Sequence, residues 1–185
     1  MSNREPSPGE ASAPRKPRAT RRHAGPVAQL LIKLALIGGV LAALFLFVMG
    51  VHIQQGNRMY PFLMDGDVAV TYKLDRYRVG DVVAYRNPDS GEKALSRIVA
   101  LGENTLTITG PDGLLINGAS PVESVFYPTA PAEGSRISFP YTMQETGVFV
   151  LDDYRTIGVD SRTFGELKES DLLGKVVYVF RRRGI

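Results

Sequence analysis

An uninterrupted apolar run limits what this chain can become. From Leu34 to Val51, "LALIGGVLAALFLFVMGV", eighteen residues pass without a charge. A helix of that length spans the hydrocarbon core of a bilayer. The run is apolar on every side, so it lacks the polar face of a helix lying half-buried on a folded core. Lys33 stands near its start, where a long stem lets the ammonium reach the headgroups. A cleaved leader would have a shorter apolar core followed by a small-x-small site, and Val48-Met49-Gly50 fits that pattern poorly. The sequence predicts one transmembrane helix over 27–51.

The flanks give this segment a direction. Residues 1–26, "MSNREPSPGEASAPRKPRATRRHAGP", are rich in Pro, Ser, Ala and Arg. Such a stretch cannot bury enough apolar surface to offset its ordering entropy, so a disordered tail is expected. Residues 1–28 hold six basic and two acidic side chains, whereas fifteen basic face seventeen acidic residues beyond Lys33. The overall charge of +3 therefore belongs to the tail. By the positive-inside rule the tail is cytoplasmic and residues 52–185 are extracytoplasmic. A nucleic-acid-binding domain would carry its basic residues on the folded part, so that class is excluded. The chain has no cysteine and two distant histidines, His23 and His52. Disulfides, thiolate catalysis and a cysteine or histidine metal site are set aside, and no cofactor is expected.

After His52 the pattern changes to short segments of strand composition: "DVAVTYKL", "DVVAYR", "LSRIVALG", "TLTITG", "LLING", "GVFVLD" and "KVVYVFR". Turn residues in "RVGD", "NPDSGE", "GPDG" and "NG" separate them. The spacing predicts a mainly β domain, an antiparallel sheet or barrel over 52–185. "GASPVESVFYPTAPAEGSRISFP" reads as a long surface loop.

Six segments then fall in a familiar order. "GNRMYPFLMDGD" resembles the Gly-x-Ser-Met-x-Pro-x-Leu-x-x-Gly-Asp segment of type I signal peptidases, membrane-anchored serine proteases that remove signal peptides outside the membrane. "RVGDVVAYRNP", "ALSRIVALG" and "LLINGASPV" are similar to that family's Gly-Asp strand, its Lys-Arg strand and its Asn-Gly hairpin. "VFVLDDYRTIGVDSRTFGEL" resembles the Gly-Asp-Asn-Arg…Ser-x-Asp-Ser-Arg-x-Phe-Gly segment, and "DLLGKVVYVF" the last strand. The resemblance implies a serine nucleophile, a neutral lysine base with a pKa depressed by burial, and a second hydroxyl that orients the lysine.

Here Arg58 stands at the nucleophile position, Ser96 at the lysine and Gly158 at the orienting serine. A guanidinium stays protonated and only donates, Ser96 has no basic site, and Gly158 has no side chain. No histidine lies near Ser96 in the sequence, and Lys93, three positions away, falls on the opposite strand face. The resemblance therefore implies a protein without peptidase activity. It is similar to the catalytically degenerate signal-peptidase-like proteins of Gram-positive sortase-dependent pilus clusters, which act as membrane-bound assembly factors or chaperones. Pilin subunits or the pilus sortase are the expected partners. The alternatives are an active peptidase with an atypical dyad, or a non-cutting regulator of a genuine signal peptidase.

Asp160 and Arg162 match the structural ion pair of the family. Arg58, Met59, Tyr60, Ser96, Asp153 and Tyr154 are expected to line the former substrate groove. "DDY", Asp152 to Tyr154, departs from Gly-Asp-Asn, which places Tyr154 where a substrate side chain would bind. Arg58 is expected either to reach across the old site, hydrogen-bonded to Ser96 or paired with Asp153, or to point to solvent or the lipid headgroups.

Overall fold

The computed structural model describes residues 25–110, 113–123 and 127–182. The expected tail over 1–26 lies outside them apart from Gly25 and Pro26. The chain divides into two compact units, 1–40 and 41–185.

Helix α1 runs Pro26–Val48, 23 residues with no acidic side chain and none buried. Its length, about 35 Å at 1.5 Å per residue, and its composition suit a membrane crossing. Pro26 opens it, at the one helical position where a missing N–H costs nothing. The helix stops three residues short of the expected Val51, because Met49–Ile53 forms strand β1 instead. There the pattern alternates, with His52 buried and its neighbours Val51 and Ile53 exposed. Gly50 sits opposite Thr71, close enough that a Cβ would meet the threonine Oγ1 at 2.5 Å. A side chain at position 50 would have to displace the side chains of Thr71 and His52.

The rest of the second unit is antiparallel. The strands after β1 are β2 (Val68–Tyr72), β3 (Val82–Arg86), β4 (Lys93–Leu101), β5 (Thr105–Ile108) and β6 (Leu114–Ile116). They are followed by β7 (Tyr141–Thr142), β8 (Gly147–Leu151), helix α2 (Ser161–Phe164), β9 (Leu167–Lys168) and β10 (Leu172–Phe180). Seven strands form one sheet in the order β1-β2-β10-β3-β4-β8-β9, and β6-β5-β7 form a second. All seven segments read as strands are strands; β1, β7 and β9 are additional. β1 was hidden inside the apolar run, and β7 and β9 have two residues each, too few to show a period. The Asn-Gly turn after β6 has both residues at positive φ, 53° for Asn117 and 80° for Gly118, the geometry of a tight two-residue hairpin.

β3 is covered on both faces, and this positions the site. Val82 and Ala84 pack with Met59, Leu63, Ala69 and Leu95 on one side. Val83 and Tyr85 pack with Ile98, Val148, Val150 and Leu167 on the other. A third cluster, including Val99, Leu106, Met143 and Phe149, joins the small sheet to the large one.

Candidate functional site

The loop between β1 and β2 carries Arg58, and it is tied down at several points. Gly56 N–H donates to Asp65 Oδ1 at 2.7 Å, Asp65 N–H to Asn57 Oδ1 at 3.0 Å, and Met64 N–H to Asp67 Oδ2 at 3.0 Å. Met59 and Leu63 anchor it from beneath, both without solvent exposure. Met59 therefore does not line a groove, contrary to the expectation; its thioether side chain belongs to the core against Val82, Ala84 and Leu95. Tyr154 N–H donates to the Arg58 carbonyl at 2.8 Å, joining this loop to the segment after β8.

The centre of the site is occupied by Asp152, which the sequence marked only as a departure from the family's glycine and not as a site residue. Asp152 is fully buried, and its carboxylate accepts from Ser96 Oγ at 2.5 Å and from Val159 N–H at 3.0 Å. Arg58 Nε approaches the same carboxylate at 4.0 Å, with the arginine side chain 32% exposed. Ser96 Oγ also lies 3.2 Å from Tyr85 Oη. With a single hydroxyl proton committed to Asp152, Ser96 accepts from the tyrosine. Burial first, and the Asp160 carboxylate after it, push the Asp152 carboxyl up to about 7. Ser96, Arg58 and the Val159 N–H pull in the opposite direction. Burial also raises the Tyr85 phenol, with the Asp152 charge adding to it.

Arg58 and Ser96 meet this carboxylate, and Gly158 lies against the Asp152 side chain. A Cβ at Gly158 would fall 2.9 Å from Asp152 Cβ, 2.7 Å from Asp160 Oδ2 and 2.8 Å from Arg162 Nη2. Position 158 therefore has no room for the family's serine beside Asp152. The signal was present in "DDY": an acid stands where the family has glycine, next to a strand where the family has lysine.

Asp160 and Arg162 form a buried fork. Arg162 Nε and Nη2 donate to the two Asp160 oxygens, each at 2.9 Å, and Nη2 also donates to the Arg155 carbonyl at 2.7 Å. Asp160 Oδ1 caps α2 by accepting from Arg162 N–H. Arg155, fully buried, binds the Asp152 carbonyl, Thr129 Oγ1 and Glu123 Oε2.

Asp153 does not pair with Arg58. Arg97 takes it in bidentate fashion, Nε to Oδ1 at 2.7 Å and Nη2 to Oδ2 at 2.6 Å, with its guanidinium 5.1 Å from the Phe62 ring centre. Strand parity explains this. Ser96 and Arg97 point to opposite faces of β4, and so do the adjacent carboxylates that answer them. Nor is Ser96 open to a groove, since it is wholly buried. Tyr154 stacks on Tyr127 with ring centres 4.1 Å apart, and Tyr60 lies 6.5 Å from it at a tilt.

A cleft of about 760 Å³ has Phe62, Arg97 and Asp153 in its lining; another, of about 460 Å³, lies between residues 51–55 and 92–95, with Arg58 in its lining. Of the expected groove residues, only Arg58 lines it. His52 does too, which the sequence had not placed near Ser96; its Nε2 lies 3.1 Å from Thr71 Oγ1 and its Nδ1 has no partner among the described residues. Burial lowers its pKa, helped by Lys93 and Lys73.

Residues 27–181 match the family described as "Signal peptidase, peptidase S26". A signal peptidase I of Bacillus caldolyticus is 29% identical over 152 residues, 74% of this chain and 82% of that protein. A probable signal peptidase I-1 of Synechocystis is 25% identical over 163 residues, 80% of each. A crystal structure of a signal peptidase I from Enterococcus faecalis aligns with a TM-score of 0.45 at 24% identity, covering 56% of this chain and 99% of that one.

Proposed function

The chain belongs to the peptidase S26 signal peptidase family, and we propose that within it this protein holds peptides without cutting them. The observation that carries the reading is the Arg58–Asp152–Ser96 arrangement. A protonated guanidinium stands where a nucleophile is needed, and the carboxylate beside it is already bonded to a buried serine. Ser96 and Asp152 are both buried, so no scissile carbonyl reaches Ser96 as an alternative nucleophile. Arg58, Ser96 and Gly158 are thus former catalytic positions turned to structural use.

The open flank of β4 supports peptide holding. β4 pairs with β3 from Lys93 to Arg97, but its ladder with β8 begins only at Arg97. Lys93–Ser96 therefore offers backbone groups to an added strand at the cleft. In this reading the protein is a single-pass membrane protein with a cytoplasmic tail and an extracytoplasmic domain. There it serves as an assembly factor or chaperone for sortase-dependent pili, with pilin subunits or the sortase as partners.

Two assays test it. The purified full-length protein, incubated with a signal-peptide-bearing precursor, is expected to leave it intact; cleavage would sink the non-cutting reading. A photoreactive side chain at position 58, with position 90 as control, is expected to capture mature pilin or sortase in cells. Capture of uncleaved precursors would instead assign the protein to regulation of a genuine signal peptidase.

A further inference from the structure

The cleft beside β4 has an uncompensated positive charge. The Arg58 guanidinium has five N–H donors, yet none makes a hydrogen bond among the described residues; its one partner is Asp152 at 4.0 Å. That carboxylate is already engaged by Ser96 and Val159, so it leaves the arginine largely unanswered. Lys93 lines the same cleft and has no ion-pair partner among the described residues. Glu92 is the single anionic lining residue, at the start of the strand. Gln54 and Gln55 add polar groups to the opposite wall, although the Gln54 amide is spent on the carbonyls of Gln55 and Gly56.

Resting on the peptide-holding reading above, we infer that this cleft selects an extended peptide segment carrying acidic side chains, with Arg58 and Lys93 receiving the carboxylates while the free flank of β4 takes the backbone. Each observation supplies one part of that fit. The unpaired stretch Lys93–Ser96 orders the ligand as a strand. The two cations stand on different walls, one on the loop after β1 and one on β4, so side chains distributed along a passing strand meet both. A single chain-end carboxylate meets only one. Arg58 is half-buried, and a carboxylate bound there is less screened by salt than one at a fully exposed site.

The test uses the full chain in nanodiscs of zwitterionic lipid and a labelled Thr/Val-rich peptide, blocked at both ends, with two Glu residues spaced along it. Fluorescence anisotropy compares it with its Gln and Lys counterparts and with an uncharged peptide ending in a free carboxylate. The Glu peptide is expected to bind about tenfold tighter than the Gln peptide at low salt, and the difference to shrink as salt rises. R58Q and K93Q should each reduce the preference for the Glu peptide over the Gln peptide. K93Q, on a solvent-exposed side chain, serves as the variant whose melting temperature stays at the parent value. Equal binding of the Glu and Gln peptides, or a preference for Lys, overturns the inference while peptide holding stands. A free-carboxylate peptide that matches the Glu peptide also overturns it, in favour of chain-end recognition. Failure of every peptide to bind removes both readings.

Discussion

Gly158→Ala adds one methyl group, and the structure gives its cost. The new Cβ would lie 2.7 Å from Asp160 Oδ2, 2.8 Å from Arg162 Nη2 and 2.9 Å from Asp152 Cβ. Ordinary contact needs each neighbour to withdraw by about half an ångström or more. Two of the three belong to the buried Asp160–Arg162 fork, and neither is a free end. Arg162 Nη2 is held at 2.7 Å by the Arg155 carbonyl and at 2.9 Å by Asp160, while Asp160 Oδ2 also accepts from Asp152 N–H at 3.0 Å. Overpacking of a close-packed site costs about 1–3 kcal/mol, and stretching a charge-assisted hydrogen bond adds to it. We expect destabilisation of about 3 kcal/mol, which lowers the melting temperature of a domain this size by about 10 °C. Circular dichroism melts of the full-length protein and of G158A in one detergent read this directly. A variant melting within about 1 °C of the parent would refute the idea that position 158 is glycine because the Asp152 cluster fills its space.

Three further outcomes follow from the same geometry. The Asp152 carboxyl is raised to about 7 in the folded protein, so the folded state holds its proton more tightly than the unfolded chain does. Its contribution is full below about pH 4 and is lost as pH rises toward 7, by up to about 1.4 kcal/mol per unit; Asp152→Asn should flatten this slope in denaturant titrations across that range. Arg97→Ala strands the buried Asp153 carboxylate and should cost about 3 kcal/mol by urea unfolding, whereas a loss below about 0.5 kcal/mol would mean that Asp153 finds another partner. Tyr154→Ala removes the stack on Tyr127, a loss of about 1 kcal/mol; with no tryptophan in the chain, the tyrosine near-ultraviolet dichroism should fall with it.

The sequence by itself determined the class of molecule and which residues stand at the family's catalytic positions. A charge-free stretch long enough to cross a bilayer, alternation at period two and turn residues between strands are local signals, and local signals survive in one dimension. Which functional group a side chain carries is equally local, so Arg58, Ser96 and Gly158 could be read as departures from the family's serine, lysine and serine without coordinates. Partnership is not local. Ser96 and Asp152 are 56 positions apart and meet because the β4–β8 register pairs Arg97 with Leu151, which leaves the next residue on each strand side by side. The same parity sends Asp153 to Arg97 rather than to Arg58, while the turn after β1 puts Met59 in the core and leaves its neighbour Arg58 half-exposed. Only the folded sheet decided that Ser96 and Arg58 would meet at a buried carboxylate, because burial and neighbouring charge, which set what that group does, exist only once the strands are in register.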